Sequence, residues 1–291
     1  MKKSILAVAV VLGASATFAQ DLKSKKGEDY LPASGDWAIS IDATPFLNYA
    51  GNLIGGNGAN VAPTWNFLVG DQRIIGKYFA ADDMAYRGGL RIGISSNSGN
   101  AMINDDAVTT APVFPALPAE VEDSYKMSQS NIGLSGGVEW RRGFGRLQGF
   151  YGGELGIAFG GSKSTYTYGN ALTATGANST TNFGSNITSD TYGNTARITE
   201  SKGGSFFGLG LRGFIGAEYF VLPRIAVGGE FGWGLMFGSN GASSTTTEST
   251  DGTTVGTQTV EGTKTSGFSL DSDNLNTVFG PAASLRMTFH F

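Results

Sequence analysis

The 291-residue chain contains no cysteine, a single histidine and only 15% charged residues. The absence of cysteine excludes disulfides, thiolate metal sites, cysteine nucleophiles and a lipid-modified N-terminal cysteine. Beyond the N-terminal region no run of about 18 uncharged apolar residues occurs, which excludes a membrane-spanning helix there. Even the most apolar stretch, 206–222, carries Arg212 and Glu218.

The first residues have the pattern of an export signal. Lys2 and Lys3 precede an apolar run that starts at Ile5, and small residues lead up to Ala19. This pattern predicts a secretory signal peptide over residues 1–19, cleaved after Ala19. Loss of the two lysines takes the formal net charge from −4 to −6, so no nucleic-acid partner is expected.

Glycine is abundant, and its 45 residues disfavour a helical globule. Apolar and polar residues instead alternate with period two, which is typical of strands with one apolar face. Eight segments carry this alternation: 36–49, one within 64–80, 84–95, 129–141, 147–160, 205–221, 225–237 and about 277–291.

The connectors between these segments alternate in length. Three are tight, "AADD", "RGFGR" and "LPR", whereas 50–63, 96–128, 161–204 and 238–276 are long and mostly polar. Long loops of this kind are uncommon in compact soluble domains and typical of outer-membrane barrels. The predicted fold is therefore all-β: an eight-stranded antiparallel transmembrane β-barrel over 36–291 with short periplasmic turns and long extracellular loops. Residues 20–35 are expected to form a flexible periplasmic segment.

The last segment, "SLRMTFHF", ends on an aromatic residue and places Leu285, Met287, Phe289 and Phe291 on one face. In a bilayer a sheet must close on itself, so this strand is expected to pair with the first. The apolar face would then be covered by lipid. Further aromatic residues fall near one edge of the apolar band, as expected of an aromatic girdle: Trp37, Trp140, Tyr151 and Tyr219.

With its export signal, the strand-turn-strand unit "GKYFAADDMAYRGGLRIG" and the terminal "RMTFHF", the mature chain resembles the small eight-stranded outer-membrane β-barrels of the OmpA-like transmembrane type, in the form common in Bacteroidota. The resemblance implies a location in the outer membrane of a Gram-negative bacterium, surrounded by outer-membrane lipid and lipopolysaccharide. It also implies that the barrel-assembly machinery reads the terminal strand through Phe289 and Phe291. No periplasmic domain is expected after the barrel, so peptidoglycan anchoring is not implied.

Charged residues recur on the face predicted to line the lumen. Such a set could gate a narrow pore or relay ions, but an eight-stranded barrel is just wide enough for side chains to fill it. Buried charges must also pair to offset their loss of hydration. We therefore expect a plug of paired charges, and its predicted members are Arg87, Arg91, Glu139, Arg141, Glu154, Arg212, Glu218, Glu230 and Arg286.

Three other motifs lack the context that their chemistry needs. The glycine pattern at 208–213 lies inside a continuous strand pattern, without the helix that a dinucleotide site requires. The stretch beginning at Asp271 starts like a calcium loop but has Asn276 and Ala282 where glycine and glutamate are needed. His290 is near the C-terminus, with no oriented nucleophile in the pattern. No catalytic, metal or cofactor site is expected, and the protein is not expected to be an enzyme.

The expected role is structural or interactive at the cell surface. The polar loops 161–204 and 238–276 either present a surface for an extracellular ligand or partner or form disordered hydrophilic cover. One alternative is transport, as a narrow porin or a channel for small hydrophobic molecules, and this alternative is favoured by inward-facing Phe150, Phe206, Phe214 and Met236. Another is a subunit of a larger surface complex. A lipid-directed enzyme is disfavoured because no histidine constellation is present.

Overall fold

The computed structural model describes residues 22–56, 73–174, 179–271, 279 and 283–291. This part of the chain is all-β apart from one α-helix and a short 3-10 turn. None of its helices has the length and apolar character needed to cross a membrane. The strands and the helix are, in order, β1 (Trp37–Asp42), α1 (Thr44–Ile54), β2 (Ile74–Ala81), β3 (Met84–Asn104), β4 (Glu120–Phe144), β5 (Leu147–Thr167), β6 (Ile187–Ser189), β7 (Thr195–Lys202), β8 (Phe206–Leu222), β9 (Ile225–Asn240), β10 (Ser244–Thr250), β11 (Val255–Glu261), β12 (Thr265–Asp271) and β13 (Ala283–His290).

Eight of these strands form a closed ring of antiparallel pairs. The order around the ring is β1, β2, β3, β4, β5, β8, β9 and β13, and β13 pairs with β1. The closing register runs from Ala38 opposite His290 to Asp42 opposite Arg286. The predicted pairing of the last strand with the first is therefore confirmed.

The three tight connectors are also confirmed, and all lie at one end of the ring, which we call the turn end. They are two-residue turns at Asp82–Asp83, Gly145–Arg146 and Pro223–Arg224. Gly145 and Arg224 both adopt a φ of 60°, in the left-handed region. Turns of this length hold neighbouring strands in a fixed register.

The predicted first strand, 36–49, is too long. The strand ends at Asp42, and Thr44–Ile54 form the helix α1. Pro45 lies in the first helical turn, where its fixed φ suits a helix and its missing N–H is no loss. The Asp42 Oδ1 accepts a hydrogen bond from the Thr44 N–H at 2.9 Å, which helps to start the helix. Residues 57–72 lie outside the described part of the chain, so the beginning of the predicted second segment does too.

The prediction of long loops at 96–128, 161–204 and 238–276 is wrong over much of their length. β3 and β4 stay paired as far as Asn104 and Glu120, and the other two regions contain β6, β7, β10, β11 and β12. These strands are rich in serine and threonine, and even their buried positions are mostly polar, as Arg197 and Thr247 are, so apolar alternation does not reveal them. They are strands because their backbones hydrogen-bond to neighbouring strands, as β10 does to β7 and β11.

The ring has opposite character on its two faces. Along β3, Tyr86, Leu90 and Ile94 are exposed on the outside, whereas Arg87 and Arg91 are buried inside. Strict alternation of this kind runs from Met84 to Ile94. That stretch is comparable to the roughly 9–11 tilted residues that cross a hydrocarbon layer.

Candidate functional site

All nine inward-facing charged residues named from the sequence are buried inside the ring. The structure adds two cations that the sequence analysis missed, Arg73 and Lys77, which are also buried. Seven of these side chains form one connected set, which we call the central network: Arg73, Lys77, Arg87, Glu139, Glu154, Arg212 and Glu230.

Two glutamates tie the guanidinium groups of the central network together. The Glu154 carboxylate lies 2.7 Å from Arg73 Nη2 and 2.8 Å from Arg212 Nη1. The Glu230 carboxylate accepts two hydrogen bonds from Arg87, at 2.9 and 3.2 Å, and one from Arg212 at 2.8 Å. Because these pairs are shielded from water, loss of one member would leave an uncompensated charge.

The network extends toward the turn end through Glu139. This fully buried carboxylate lies 2.8 Å from Lys77 Nζ and 3.4 Å from Arg87 Nη1. Closer to the turns, Arg141 pairs with Glu218, and the Arg141 guanidinium lies over the ring of Phe79 at 5.1 Å. Paired charges therefore line the interior from the central network to the turn end.

Two further arginines of the predicted set lie beside this network. Arg286 donates through Nε to Ser40 Oγ at 2.9 Å and through Nη2 to the Ser40 carbonyl at 3.2 Å. The same Nη2 lies 3.4 Å from the carbonyl oxygen of Arg73. Arg91 is buried on the inner face of β3, opposite Gly133 of β4.

The inward-facing aromatic residues pack against cations. Phe214 lies 3.9 Å from the Arg87 guanidinium carbon, measured to the ring centroid, and Phe150 lies 4.9 Å from Lys77 Nζ. Contacts of this kind are attractive when both groups are shielded from water. Phe150 and Phe214 therefore help to fill the space between the charged side chains.

An apolar cluster lies on the other side of the central network, away from the turn end. It consists of Ala158, Met236 and Phe279, with Phe206 packed against them. The glycine motif at 208–213 lies within β8, and Gly208 and Gly210 face this cluster. A Cβ on Gly210 would come within 2.3 Å of the Phe279 ring, so glycine is needed here for packing.

Residues 22–35, expected to be flexible, make defined contacts across the turn end. Tyr30 is buried in a cluster with Phe220 and Ala226, against which Leu22 and Leu31 also pack. The Arg146 guanidinium donates to the Tyr30 hydroxyl at 2.7 Å and lies 4.0 Å from its ring centroid. This segment, which we call the N-terminal cover, therefore closes the interior at the turn end.

His290, the only histidine of the chain, is buried beside that cover. Its ring lies between Phe79 and Phe220, with centroid distances of 5.6 and 5.1 Å. Nδ1 is 3.3 Å from the Arg224 carbonyl, and Nε2 is 4.0 Å from the Glu218 carboxylate. These surroundings are those of a packing residue.

The predicted girdle residues lie on the outer face near the turn end. Trp37, Trp140, Tyr151 and Tyr219 are between 43% and 61% exposed. Trp140 stacks on Tyr151 at 5.9 Å across the β4–β5 pair. Phe291 is 63% exposed, and its backbone pairs with Trp37 at the closing seam, whereas Phe289 is half-buried.

At the end opposite the turns, strands continue beyond the ring into a folded region that we call the outer projection. It comprises the distal parts of β3, β4 and β5 together with β6, β7, β10 and β11. A fully buried Asp123 anchors it, accepting hydrogen bonds from Gly169 N, Thr181 Oγ1 and Asn182 N at 2.8, 2.6 and 2.9 Å.

Aromatic packing adds to this anchor. Phe183 contacts the rings of Tyr125, Tyr166 and Tyr168 edge-on, at centroid distances of 5.9, 5.4 and 5.9 Å. The Tyr168 hydroxyl donates to the Ile198 carbonyl at 2.6 Å, and burial raises the pKa of Tyr168 to about 12. Much of 161–204 is thus held in place by side-chain contacts.

Within the described ranges, no group of three or more histidine, aspartate or glutamate side chains is placed to hold a metal ion. The calcium-like stretch that begins at Asp271 lies almost wholly outside those ranges. Comparison with known proteins finds no matching family model and no matching curated protein. The resemblance to OmpA-like barrels therefore rests on the sequence pattern alone.

Proposed function

We propose that this chain is an integral outer-membrane β-barrel protein without catalytic activity, whose role is structural or interactive at the cell surface. Its eight ring strands would cross the bilayer, with the turn end in the periplasm and the outer projection outside the cell. The central network would plug the lumen.

The observation that carries this proposal is the inverted distribution of polarity across the ring. Charged side chains are buried inside, while leucine, isoleucine and aromatic side chains are exposed on the outside. In water this outer face would be an unusually large apolar surface. A hydrocarbon layer removes that cost, and the pairing of β13 with β1 closes the ring, as a sheet in lipid requires.

The remaining parts of the proposal follow from the sequence pattern. Residues 1–19 would be removed on export, and Trp37, Trp140, Tyr151 and Tyr219 would lie at the periplasmic interface. The strand that ends in Phe289 and Phe291 would be read by the assembly machinery. Outer-membrane lipid and lipopolysaccharide would then surround the outer face.

Successive side-chain layers favour a plug over a transport path. From the turn end, the interior holds the Tyr30 cluster, the Arg141–Glu218 pair, the central network and the Phe206–Met236 cluster. A narrow porin would need a continuous water path through these layers. A channel for small hydrophobic molecules would need the apolar cluster to be accessible from outside.

Conductance of the refolded mature protein in a planar bilayer tests the plug. We expect a silent bilayer for the wild type, because paired charges and aromatic rings fill the interior. Glu230→Ala and Arg286→Ala serve as paired variants, since both remove inward charge from neighbouring strands. Steady single-channel steps in the wild type that either variant alters would favour the transport alternative.

Location is tested separately in cells. Membrane fractionation and heat-dependent gel mobility should find the folded protein in the outer membrane. Recovery in the soluble periplasmic fraction would contradict the proposal as a whole. Co-purification of a second protein in stoichiometric amounts would instead favour the subunit of a cell-surface complex.

A further inference from the structure

β3 and β4 form a long hairpin that extends from the ring through the outer projection. The connection at its end lies farthest from the ring along these two strands. The two strands pair from Met84 opposite Trp140 to Asn104 opposite Glu120, and residues 105–119 form the connection, which we call the apolar tip. From Ile94, where the apolar band ends, to Asn104 the strand runs roughly 30 Å. The apolar tip therefore stands clear of the membrane that the ring would occupy.

The apolar tip exposes three large side chains to water. Val113, Phe114 and Leu117 are 82%, 94% and 86% exposed. Unlike the apolar residues of the ring, these side chains have no lipid to cover them. Exposed apolar groups clustered on one element commonly mark an interaction site, and aromatic residues are frequent anchors of such sites.

The backbone of the apolar tip is held in shape before any partner arrives. Asp105 N donates to the Ala119 carbonyl at 2.9 Å, which closes the base, and Ala116 N donates to the Val113 carbonyl at 2.9 Å. Asp106 Oδ2 accepts a hydrogen bond from Thr180 N at 2.7 Å and so ties the base to the outer projection.

Prolines 112, 115 and 118 further restrict the chain, because each fixes its own φ. A segment ordered in advance loses less entropy on binding than a flexible one. The exposed side chains are thus presented on a backbone of restricted freedom.

The base of the apolar tip is acidic. Asp105, Asp106, Glu120 and Glu122 flank it, and no lysine or arginine occurs between Arg91 and Lys126. Complementary charge at the rim of an interface speeds association and selects the partner. These acidic residues are complementary to a partner whose interface has a basic rim, and they disfavour binding to an anionic lipid surface.

We infer that the apolar tip is a docking element, which inserts Phe114 with Val113 and Leu117 into an apolar groove of a partner protein whose rim is basic. The inference rests on the proposed function, because the outer projection must face the outside of the cell. It names a binding element outside the two regions, 161–204 and 238–276, that the sequence analysis singled out.

Photo-crosslinking in the cells that make the protein tests this inference. The probe is p-benzoyl-phenylalanine placed at position 114 of the full chain, with the same probe at position 192 as the control. Tyr192 is 84% exposed and belongs to a different part of the outer projection. We expect one protein to crosslink through position 114 and not through 192, at an apolar site bordered by lysine or arginine.

Binding of that protein, once purified, to the full chain in detergent then tests the contact. Phe114→Ser combined with Leu117→Ser should weaken the affinity on the order of 30-fold or more, as loss of buried anchors does. Glu120→Gln with Glu122→Gln should slow association and reduce its salt dependence. Tyr192→Ser should leave the affinity unchanged.

Adducts only with lipid, only with a second copy of this chain, or with nothing would overturn the inference, as would unchanged affinity of the Phe114 and Leu117 variant. External protease cleavage at the apolar tip of intact cells separates the two proposals. If the tip is cleaved but no partner crosslinks, only the docking inference fails. If intact cells protect the tip while permeabilised cells do not, the proposed orientation fails as well.

Discussion

Glycine inside the ring makes room for a charged or aromatic side chain on a neighbouring strand. A Cβ on Gly137 would lie 2.7 Å from Cβ of Glu154, and one on Gly232 would lie 1.9 Å from Arg212 Nε. A Cβ on Gly152 would lie 2.6 Å from the Phe214 ring. Large inward side chains therefore depend on glycines across the strand pairs.

Gly137→Ala should destabilise the folded protein, because its Cβ would also come within 2.2 Å of the Gly153 carbonyl oxygen. Overpacking of this kind costs about 1–3 kcal/mol of the free energy of unfolding. The neighbouring Gly136→Ala is the matched control, since its Cβ would meet no atom within 4 Å. Urea unfolding in lipid vesicles measures both, and equal stabilities would contradict the packing argument.

Glu154→Gln tests the central network at the level of one charge. The substitution leaves Arg73, Arg87 and Arg212 with less compensation in a shielded interior. Breaking one side of a buried pair typically costs about 3–5 kcal/mol, and we expect a loss of that order in the same unfolding experiment. Glu200→Gln, at a salt bridge to the exposed Lys163, should have little effect.

At the scale of elements, the strand pattern predicts structure where one face is apolar and misses it where both are polar. β8 and β9 were predicted within a few residues as 205–221 and 225–237. β10, Ser244–Thr250, has no apolar residue, and only its pairing with β7 and β11 makes it a strand. The pairing with β7 joins segments that are separated in the chain by β8 and β9, so a local pattern does not contain it.

The sequence contains local patterns that could have predicted the helix α1 and the inward position of Lys77. Pro45 and the glycines 55 and 56 are typical of a helix start and end. Lys77 lies on the inner face with Ile75 and Phe79, and the alternation of 74–79 already indicates this. The contacts of Tyr30 with Phe220 and Arg146 are tertiary, and composition alone does not predict them.

Phe183→Ala should loosen the outer projection without affecting the ring. The side chain packs among three tyrosines, and its loss would free the segment that Asp123 also holds. Limited proteolysis of the folded protein should then cut within 179–194 several times faster, while heat-dependent gel mobility stays unchanged. Tyr192→Ala, at an exposed side chain of the same region, provides the control. Equal cleavage rates for the two variants would mean that the aromatic cluster does not hold this segment.

At the scale of the whole molecule, closure makes the first and last strands of the ring neighbours. Trp37 and Phe291 exchange backbone hydrogen bonds at 3.3 and 2.8 Å. The N-terminal cover meets the same seam region, since Arg224 pairs with Asp36 at 2.8 Å and the Arg224 carbonyl accepts the His290 N–H. The ring as an object therefore has no natural first strand.

A circularly permuted chain should accordingly fold in detergent micelles. A short linker would join residue 291 to residue 36, and new ends would open the turn between Asp82 and Asp83. We expect native-like far-ultraviolet circular dichroism and heat-dependent mobility, because every strand pair of the ring is kept. A permutant opened within β4, between Gly136 and Gly137, breaks two pairings and should not fold. Similar behaviour of the two permutants would contradict the closed ring.

The spacing between interior glycines and large side chains also restricts how such a sequence can change over generations. Where Gly232 stands beside Arg212, enlarging one position is tolerated only if the other shrinks, so accepted changes should come in coupled pairs across strands. On the outer face, which we propose to lie in lipid, no such coupling is expected, since lipid chains adapt to any apolar shape. In a lineage of this protein the exposed residues of the outer face should therefore change one at a time, while the interior should change by compensated exchanges that preserve its total volume.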